Sequence, residues 1–399
     1  MLLSYKGKKT EEEILNTEKA RLEVVSGRGE KNKLIQGDNL AVLKALIDDH
    51  GLRGKVSLVY IDPPFATNGH FRIGEGRTST ISSSSDDAIA YSDVLVDDEF
   101  LAYLRERLVL LRELMSERGS IYLHIDYKIG HYVKLIMDEV FGRKHFRNDI
   151  TRIKCNPKNF DRNAYGNVKD LILFYTKTSE ATWNDARVPL DEDDLERRFK
   201  KIDHAGRAFA TIPLHAPGET ANGKTGTEWK GMLPPKGRHW RTAPAILEMW
   251  DQQGLIEWSK NGVPRKKIYA DETAGKKLQD VWEFKDPQYP NYPTEKNVDM
   301  LKVIVGASSN EGDIVLDCFC GSGTTLVAAD SLQRRWIGID MSEHAIKVAR
   351  QRFAGAGTLF SKSAYELLVQ KWDDAASSLE ARNAKLESAQ ARTRSLAVI

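Results

Sequence analysis

An apolar run, Val56-Ser57-Leu58-Val59-Tyr60-Ile61, stops at Asp62-Pro63-Pro64-Phe65, and this junction constrains the fold more than any other stretch of the chain. A run that is apolar throughout, rather than alternating, is what a strand covered on both faces of a parallel sheet requires. Two prolines directly after it cannot extend a ladder, so the strand ends in a stiff turn with a carboxylate at its tip. Far downstream a second run, Asp313-Ile314-Val315-Leu316, closes at Asp317-Cys318-Phe319-Cys320-Gly321-Ser322-Gly323-Thr324. Ligands of open α/β sheets bind beyond the carboxyl ends of such strands, so both acids fall on the side where chemistry is usual. With 399 residues, the chain has room for one large α/β domain and an inserted module.

The other periodicities extend this pattern. Residues 10–25 read as a short helix, and residues 33–38 as a strand whose tip carries Asp38, ahead of a helix from Leu40. The polar stretch 78–93 lacks the apolar content to offset its ordering entropy and reads as a mobile loop, either a lid beside residues 62–65 or a plain surface loop. Phe100, Leu104, Leu108, Leu111 and Met115 trace a helical stripe, residues 120–125 a buried strand, and a helix follows near residues 130–140. Helix returns at 298–304, then strands at 313–317 and 336–340, the last ending in Asp340. From Trp372 onward Ala, Glu, Arg and Ser dominate, as in a solvated helix or tail.

Between Asn148 and about residue 292 the alternation is lost, and six of the eight tryptophans fall there: Trp183, Trp229, Trp240, Trp250, Trp258 and Trp282. Residues 221–244 carry Lys224, Lys230, Lys236, Arg238 and Arg241 against Glu228 alone, with Trp229 and Trp240 interleaved. Basic residues among flat aromatics suit phosphate contact and base stacking. The alternative is a small α+β insertion with its tryptophans in a core and its cations solvated. A net charge of only +2 requires any nucleic-acid face to be a local patch. The three cysteines fit no zinc spacing and no complete disulfide framework, which points to a reducing cytoplasm and no metal. The start of the chain opens no apolar signal region and no stretch approaches ~18 apolar residues, so neither export nor membrane insertion is expected.

The chemistry of the two signatures differs. Gly321 and Gly323 let the backbone approach a ligand closely, with Asp340 at the next strand end. A dinucleotide fingerprint needs a third glycine where Leu326 stands, and no Gly-Lys-Ser/Thr follows for a P-loop. The series suits a ligand with a ribose and no pyrophosphate, such as S-adenosylmethionine. At the other signature, the Asp62 carboxylate and the Pro63 carbonyl supply two acceptors for one NH₂ group, and Phe65 offers a ring for stacking. An exocyclic amine is a poor nucleophile because its lone pair is delocalised. Two acceptors favour a pyramidal nitrogen and stabilise the positive charge of transfer, and a base so held must be unstacked from its duplex. An ordinary strand-to-loop turn is the alternative for residues 62–65. Direct transfer needs no imidazole base, so His70 and His124 are expected to be structural or solvent-facing.

Residues 62–65 resemble the Asp-Pro-Pro-Tyr/Phe motif of DNA amino-methyltransferases, and residues 317–324 resemble their cofactor motif. Catalytic motif first and cofactor motif last is similar to the circularly permuted β group, and residues 229–282 look like the modification subunits of type III restriction systems and their solitary relatives. The resemblance implies a permuted, Rossmann-like α/β fold with an inserted target-recognition domain. Its boundaries would be an N-terminal helical extension 1–30, a catalytic half 31–180, recognition domain 181–290, a cofactor half 291–362, and a C-terminal helix or tail 363–399. It implies catalytic roles for Asp62, Pro63, Pro64 and Phe65. Cofactor contacts would come from Asp38, Thr294, Lys296, Asp317, Phe319, Gly321, Gly323, Thr324 and Asp340, and DNA contacts from Lys224, Lys230, Lys236, Arg238 and Arg241. For Asp38 the alternative is a cap on the following helix, and for Asp317 orientation of the glycine turn. The chain departs from the family at Thr151-Arg152, where an aromatic is usual, and at Asn297, where proline is common. The implied activity is methylation of adenine N6 in duplex DNA, with a homodimer and a restriction subunit as partners. Cytosine N4, structured RNA, and an inactive DNA-binding subunit are the rival readings.

Overall fold

The structure, a computed structural model, describes residues 3–64, 69–73, 88–93, 97–157, 163–220, 223–287, 295–354 and 364–372, with backbone alone at 69–73, 88–93 and 97. In chain order its elements begin with α1 (Glu11–Leu15), β1 (Arg21–Ser26), β2 (Asn32–Gln36), α2 (Asn39–Asp48), β3 (Val56–Ile61), β4 (Gly69–Ile73) and β5 (Ala88–Asp93). There follow α3 (Asp97–Leu114), β6 (Met115–Ile125), α4 (Gly130–Met137), β7 (Phe146–Ile153) and β8 (Lys169–Thr176). Next come β9 (Arg187–Val188), α5 (Glu192–Arg198), β10 (Lys201–Ile202), β11 (Ala208–Pro213), β12 (His215–Pro217), β13 (Arg238–Trp240), α6 (Pro244–Gln252), β14 (Ile256–Trp258), β15 (Pro264–Tyr269) and β16 (Lys276–Lys277). The chain closes with β17 (Val281–Trp282), α7 (Val298–Ser308), β18 (Ile314–Asp317), α8 (Thr324–Ser331), β19 (Arg335–Asp340), α9 (Glu343–Ala354) and β20 (Tyr365–Lys371). It divides into two compact units, Met1–Ala186 with Gln279–Ile399, and Arg187–Leu278.

The first unit is built on a ten-stranded sheet of order β1-β20-β2-β19-β18-β3-β6-β8-β7-β17. Strands from β20 through β6 run parallel, while β1 and β8 are antiparallel to their neighbours. The uniformly apolar sequence of β3 has its reason here: Val59 and Ile61 join the cluster formed with α2, α3 and α4, while Leu58 and Tyr60, which lie outside that cluster, are equally buried. Each such side chain contributes about 1.5–3 kcal/mol by leaving water. From β3 the chain crosses by α3 to β6 on one side, and from β18 by α8 to β19 on the other. Between β3 and β18 the winding therefore reverses, and at such a switch point the loops diverge to leave a crevice at the strand ends.

Several expectations are corrected. Helix in 10–25 is confined to α1, and β1 forms the sheet edge by pairing with β20. β1 alternates exposed and half-buried residues over most of its length, the period of a strand. β20 lies in the segment expected to be helix or tail and sits inside the sheet between β1 and β2; residues 373–399 fall outside the described residues. Of the expected loop 78–93, residues 88–93 form β5, paired with β4, and 78–87 fall outside the described residues. The stretch after Asn148 continues the sheet through β7 and β8.

The second unit has a four-stranded antiparallel sheet of order β10-β11-β15-β14 and two-stranded ladders β12-β13 and β16-β9. Its core is Leu214, Trp229, Trp240, Leu247 and Ile256. The two indoles meet edge to face at 6.1 Å, and Trp240 Nε1 donates to the Thr227 carbonyl at 2.9 Å. Stacking on a nucleobase is therefore not open to Trp229 or Trp240, which are interior residues. No helix among the described residues is long and apolar enough to cross a membrane.

Candidate active site

The strand pair β3-β18 is in parallel register, with Leu316 opposite Val59, so the two distant signatures end side by side. Asp62 follows β3 directly, with Pro63 buried and Pro64 half-buried behind it. Its Oδ2 is ion-paired to Lys296 Nζ at 2.5 Å, and both side chains are mostly buried, 17% and 12% exposed. Its Oδ1 is buried and makes no hydrogen bond among the described residues. An orphaned carboxylate oxygen is costly unless a donor arrives from outside. Phe65 and Thr294 lie outside the described residues.

Beyond β18 the chain turns sharply at Gly321 (φ +51°) and Gly323 (φ +79°), left-handed values that favour glycine, and Gly323 is the N-cap of α8. Two acids brace this turn. Asp317 Oδ1 accepts from Phe319 N at 3.0 Å and Oδ2 from Thr325 Oγ1 at 2.6 Å. It is 2% exposed. Burial raises its pKa to about 7 against the two hydrogen bonds, with the Asp62 and Asp340 charges adding to the rise. Asp340 accepts from Gly321 N through Oδ2 and from Ser342 N through Oδ1, each at 2.8 Å. It is only half-buried, and a carboxylate has about four lone-pair sites, so it retains acceptor capacity for a hydroxyl. From α9, Arg352 donates to the Ser322 carbonyl at 3.3 Å and to Thr324 Oγ1 at 2.9 Å, and it also pairs with Glu295, the residue before Lys296.

The turn after β2 is tied to the same place: Gly37 N donates to the Asp340 carbonyl at 3.0 Å, and Asn39 Nδ2 to the Cys318 carbonyl at 2.8 Å. Asp38 caps α2 through Leu40 N at 3.3 Å and pairs with Arg107 at 3.1 Å. The Arg107 guanidinium lies 3.4 Å from the Tyr103 ring centroid, and Tyr103 meets Phe319 at 6.2 Å. Asn297 caps α7 through the amides of Asp299 and Met300, which explains an asparagine in a place where the family commonly has proline.

Sequence reasoning assigned no role to Tyr103, Arg107, Asp170, Glu295 or Arg352; Glu295 lies in the segment 292–296 and Asp170 in the stretch 148–177, both of which resemble family segments, and the other three lie in none. Of the two histidines expected to be structural or solvent-facing, His124 is fully buried, 3.9 Å from Asp62 Oδ1 through Nδ1. His70 has no described side chain. Arg152 is also fully buried, paired with Asp286 and donating through Nε to the Phe284 carbonyl at 2.8 Å. In the second unit Lys224, Lys236, Arg238 and Arg241 are exposed, while Lys230 is ion-paired with Asp251. No group of three or more His, Cys, Asp or Glu among the described residues is placed to hold a metal ion.

Two adjacent parallel strands, one ending in an Asp-Pro-Pro turn and the other in a glycine turn braced by acids, define a Rossmann-like methyltransferase. The family profile described as DNA methylase, for N6 and N4 enzymes, matches residues 56–351, and the chain belongs to that family. S-adenosylmethionine is the methyl donor and DNA the substrate. The type II methyltransferase M.EcaI of Enterobacter cloacae is 42% identical over 365 residues, covering 88% of this chain and 77% of the relative. The StyLTI Mod subunit, a type III restriction-modification enzyme of Salmonella typhimurium, is 26% identical over 344 residues, covering 77% of this chain. The chain spans 51% of the length of that subunit. The DNA adenine methyltransferase YhdJ of Escherichia coli is 39% identical over 106 residues, 25% of this chain and 34% of the relative.

Proposed function

We propose that this chain methylates the exocyclic N6 of an adenine extruded from duplex DNA, in a restriction-modification setting. The observation that carries the reading is the Asp62 carboxylate. One oxygen is held by Lys296, and the other is buried at the carboxyl end of β3 with no hydrogen bond among the described residues. Oδ1 is thus available to accept one amino hydrogen of the base, with the Pro63 carbonyl as the next acceptor along the stiff turn. These contacts favour a pyramidal nitrogen whose lone pair is free to attack, and the carboxylate stabilises the charge that appears on that nitrogen. S-adenosylmethionine, when bound, supplies an electrophilic methyl group. Its ribose suits Asp340, its carboxylate suits the Lys296 cation, and its adenine suits the edge formed by Asp38 and Phe319. Gly321, Gly323 and Thr324 shape the turn against it, and Asp317 holds that turn in place.

Adenine is favoured over cytosine by Asp-Pro-Pro at residues 62–64 and by the adenine methyltransferase among the relatives. Lys224, Lys236, Arg238 and Arg241 suit backbone phosphates. We place the recognition function in the inserted unit, a restriction subunit among the partners, and a homodimer in solution. Incubation with labelled S-adenosylmethionine and either duplex DNA or RNA, followed by digestion to nucleosides, tests the reading. Label in N6-methyladenine from DNA supports it. Label in N4-methylcytosine or in RNA, or DNA binding without label, refutes it.

A further inference from the structure

Behind Asp62 lies a buried polar chain that methyl transfer as described does not use. His124 Nε2 on β6 is 3.2 Å from Asp170 Oδ2 on β8, and its Nδ1 is 3.0 Å from Tyr60 Oη on β3 and 3.9 Å from Asp62 Oδ1. The other oxygen of Asp170 accepts from Lys154 Nζ at 2.6 Å, and the Arg152 guanidinium stands 3.7 Å from Oδ2. A carboxylate only accepts, so Nε2 carries the imidazole hydrogen and Nδ1 is left with a lone pair that takes the Tyr60 hydroxyl hydrogen. The ring then turns no N–H toward Asp62 Oδ1.

We propose that Asp170, His124 and Tyr60 form a positioning relay that holds His124 in its neutral Nε2–H form and so keeps Asp62 Oδ1 open for the amino hydrogen of the target base. The proposal rests on the role given to Asp62 above. The opposite tautomer, or an imidazolium, would present an Nδ1–H beside Oδ1. With Lys296 already on Oδ2, both carboxylate oxygens would then face protein donors. The charged and titratable groups around the ring are Tyr60 and Asp62 at β3, Asp170 on β8, Arg152 and Lys154 on β7, and Lys296 ahead of α7. Burial lowers the His124 pKa, Lys296 lowers it further, and the two carboxylates oppose this without reversing it. The ring is therefore neutral at neutral pH. A histidine that merely filled the core would have no preferred tautomer of kinetic consequence.

Asp170→Asn tests this, because an amide N–H facing Nε2 reverses the tautomer. The expected result is a kcat about 10- to 100-fold lower, the cost of one charge-assisted hydrogen bond, with the dissociation constant for S-adenosylhomocysteine unchanged. The wild-type rate should fall as pH drops through the His124 pKa, and that acid limb should be displaced in the variant. Wild-type kcat and pH profile in folded Asp170→Asn would overturn the relay. So would an Nδ1–H or doubly protonated His124 in wild-type protein at neutral pH, read by ¹⁵N NMR, a measurement that does not depend on the variant folding. Full transfer by Asp62→Asn would instead sink the role of Asp62, which separates the two failures.

Discussion

Replacing Asp62 with asparagine is the sharpest perturbation, because it changes one atom and reverses the chemistry of one side of the site. Lys296 donates to Oδ2 from 2.5 Å, so an asparagine at 62 will turn its amide oxygen toward that ammonium. Its NH₂ then occupies the place of Oδ1, the oxygen without a hydrogen bond among the described residues, and meets an incoming amino group donor to donor. Losing a hydrogen bond to a charged acceptor costs about 1.5–3 kcal/mol. Losing a preorganised charge aimed at the developing cation costs about 2.7–4 kcal/mol, by analogy with oxyanion-hole donors. The sum, roughly 4–7 kcal/mol, lowers the transfer rate about 10³- to 10⁵-fold. Stability should drop by less than about 3 kcal/mol, since Lys296 keeps an acceptor and the pair is not fully buried. Single-turnover transfer of labelled methyl groups to duplex DNA measures the first quantity, and calorimetric titration with S-adenosylhomocysteine measures cofactor affinity, expected to stay within about fivefold. A rate within about tenfold of wild type would refute the role of Asp62. Loss of cofactor affinity on Asp62→Ala would show that the base and cofactor sites had been interchanged.

Trp240→Ala removes an indole from the core of the second unit and its bond to the Thr227 carbonyl, at a cost of about 3–5 kcal/mol. Proteolysis should then cut within Arg187–Leu278 while labelled cofactor still binds, and undiminished protection there would count against the packing argument. Substituting Lys236, Arg238 or Arg241 with alanine should weaken DNA binding across sequences and reduce the salt slope by about 0.9 for each phosphate no longer neutralised. Lys230→Ala should change the slope far less, because Asp251 already neutralises that cation; equal slopes in fluorescence anisotropy would contradict this. Burial raises the Asp170 pKa, but hydrogen bonds from His124 and Lys154 outweigh it and leave the group well below its ordinary value. A folded pKa below the unfolded one, near ~3.9, stabilises the fold above that pH, and the contribution is lost as pH falls further. The melting temperature should accordingly drop in acid, with a shallower acid arm in Asp170→Asn.

What the sequence disclosed depended on whether a residue's role was local. β3, β18 and β19 announced themselves because strands covered on both faces are apolar without interruption, and the glycine turn because only glycine takes those angles readily. β20 was hidden by its polar residues. Glu366 and Gln370 make the segment look solvated, yet Glu366 pairs with Lys33 and Gln370 Oε1 accepts from Asp38 N at 2.7 Å. The strand is polar where it braces β2 and the turn that follows it. Trp229 and Trp240 were ambiguous for the converse reason: an indole among lysines has the same sequence signature whether it stacks on a base or fills a small core. The relay behind Asp62 was illegible because Tyr60, His124 and Asp170 sit on three strands, and their contact exists only through the register Tyr60 opposite Tyr122 and His124 opposite Ile172.

The same register explains why the order of the two signatures does not disturb the site. The separation of Asp62 from the glycine turn is set by the ladder that places Leu316 opposite Val59, not by the chain between them. The insertion leaves the sheet after β8 and the chain rejoins it at β17, and both strands lie on the β6 side of β3, whereas β18, β19 and β2 lie on the other. Asp62 stands on the boundary, with the glycine turn and β2 to one side and the entry and exit of the insertion to the other. Loop-closure cost grows only slowly with length, so a segment inserted there need not strain the ladder that fixes the catalytic carboxylate. If recognition lies in the inserted unit as proposed, residues 187–278 can vary while the Asp62, Lys296 and Asp340 arrangement is kept.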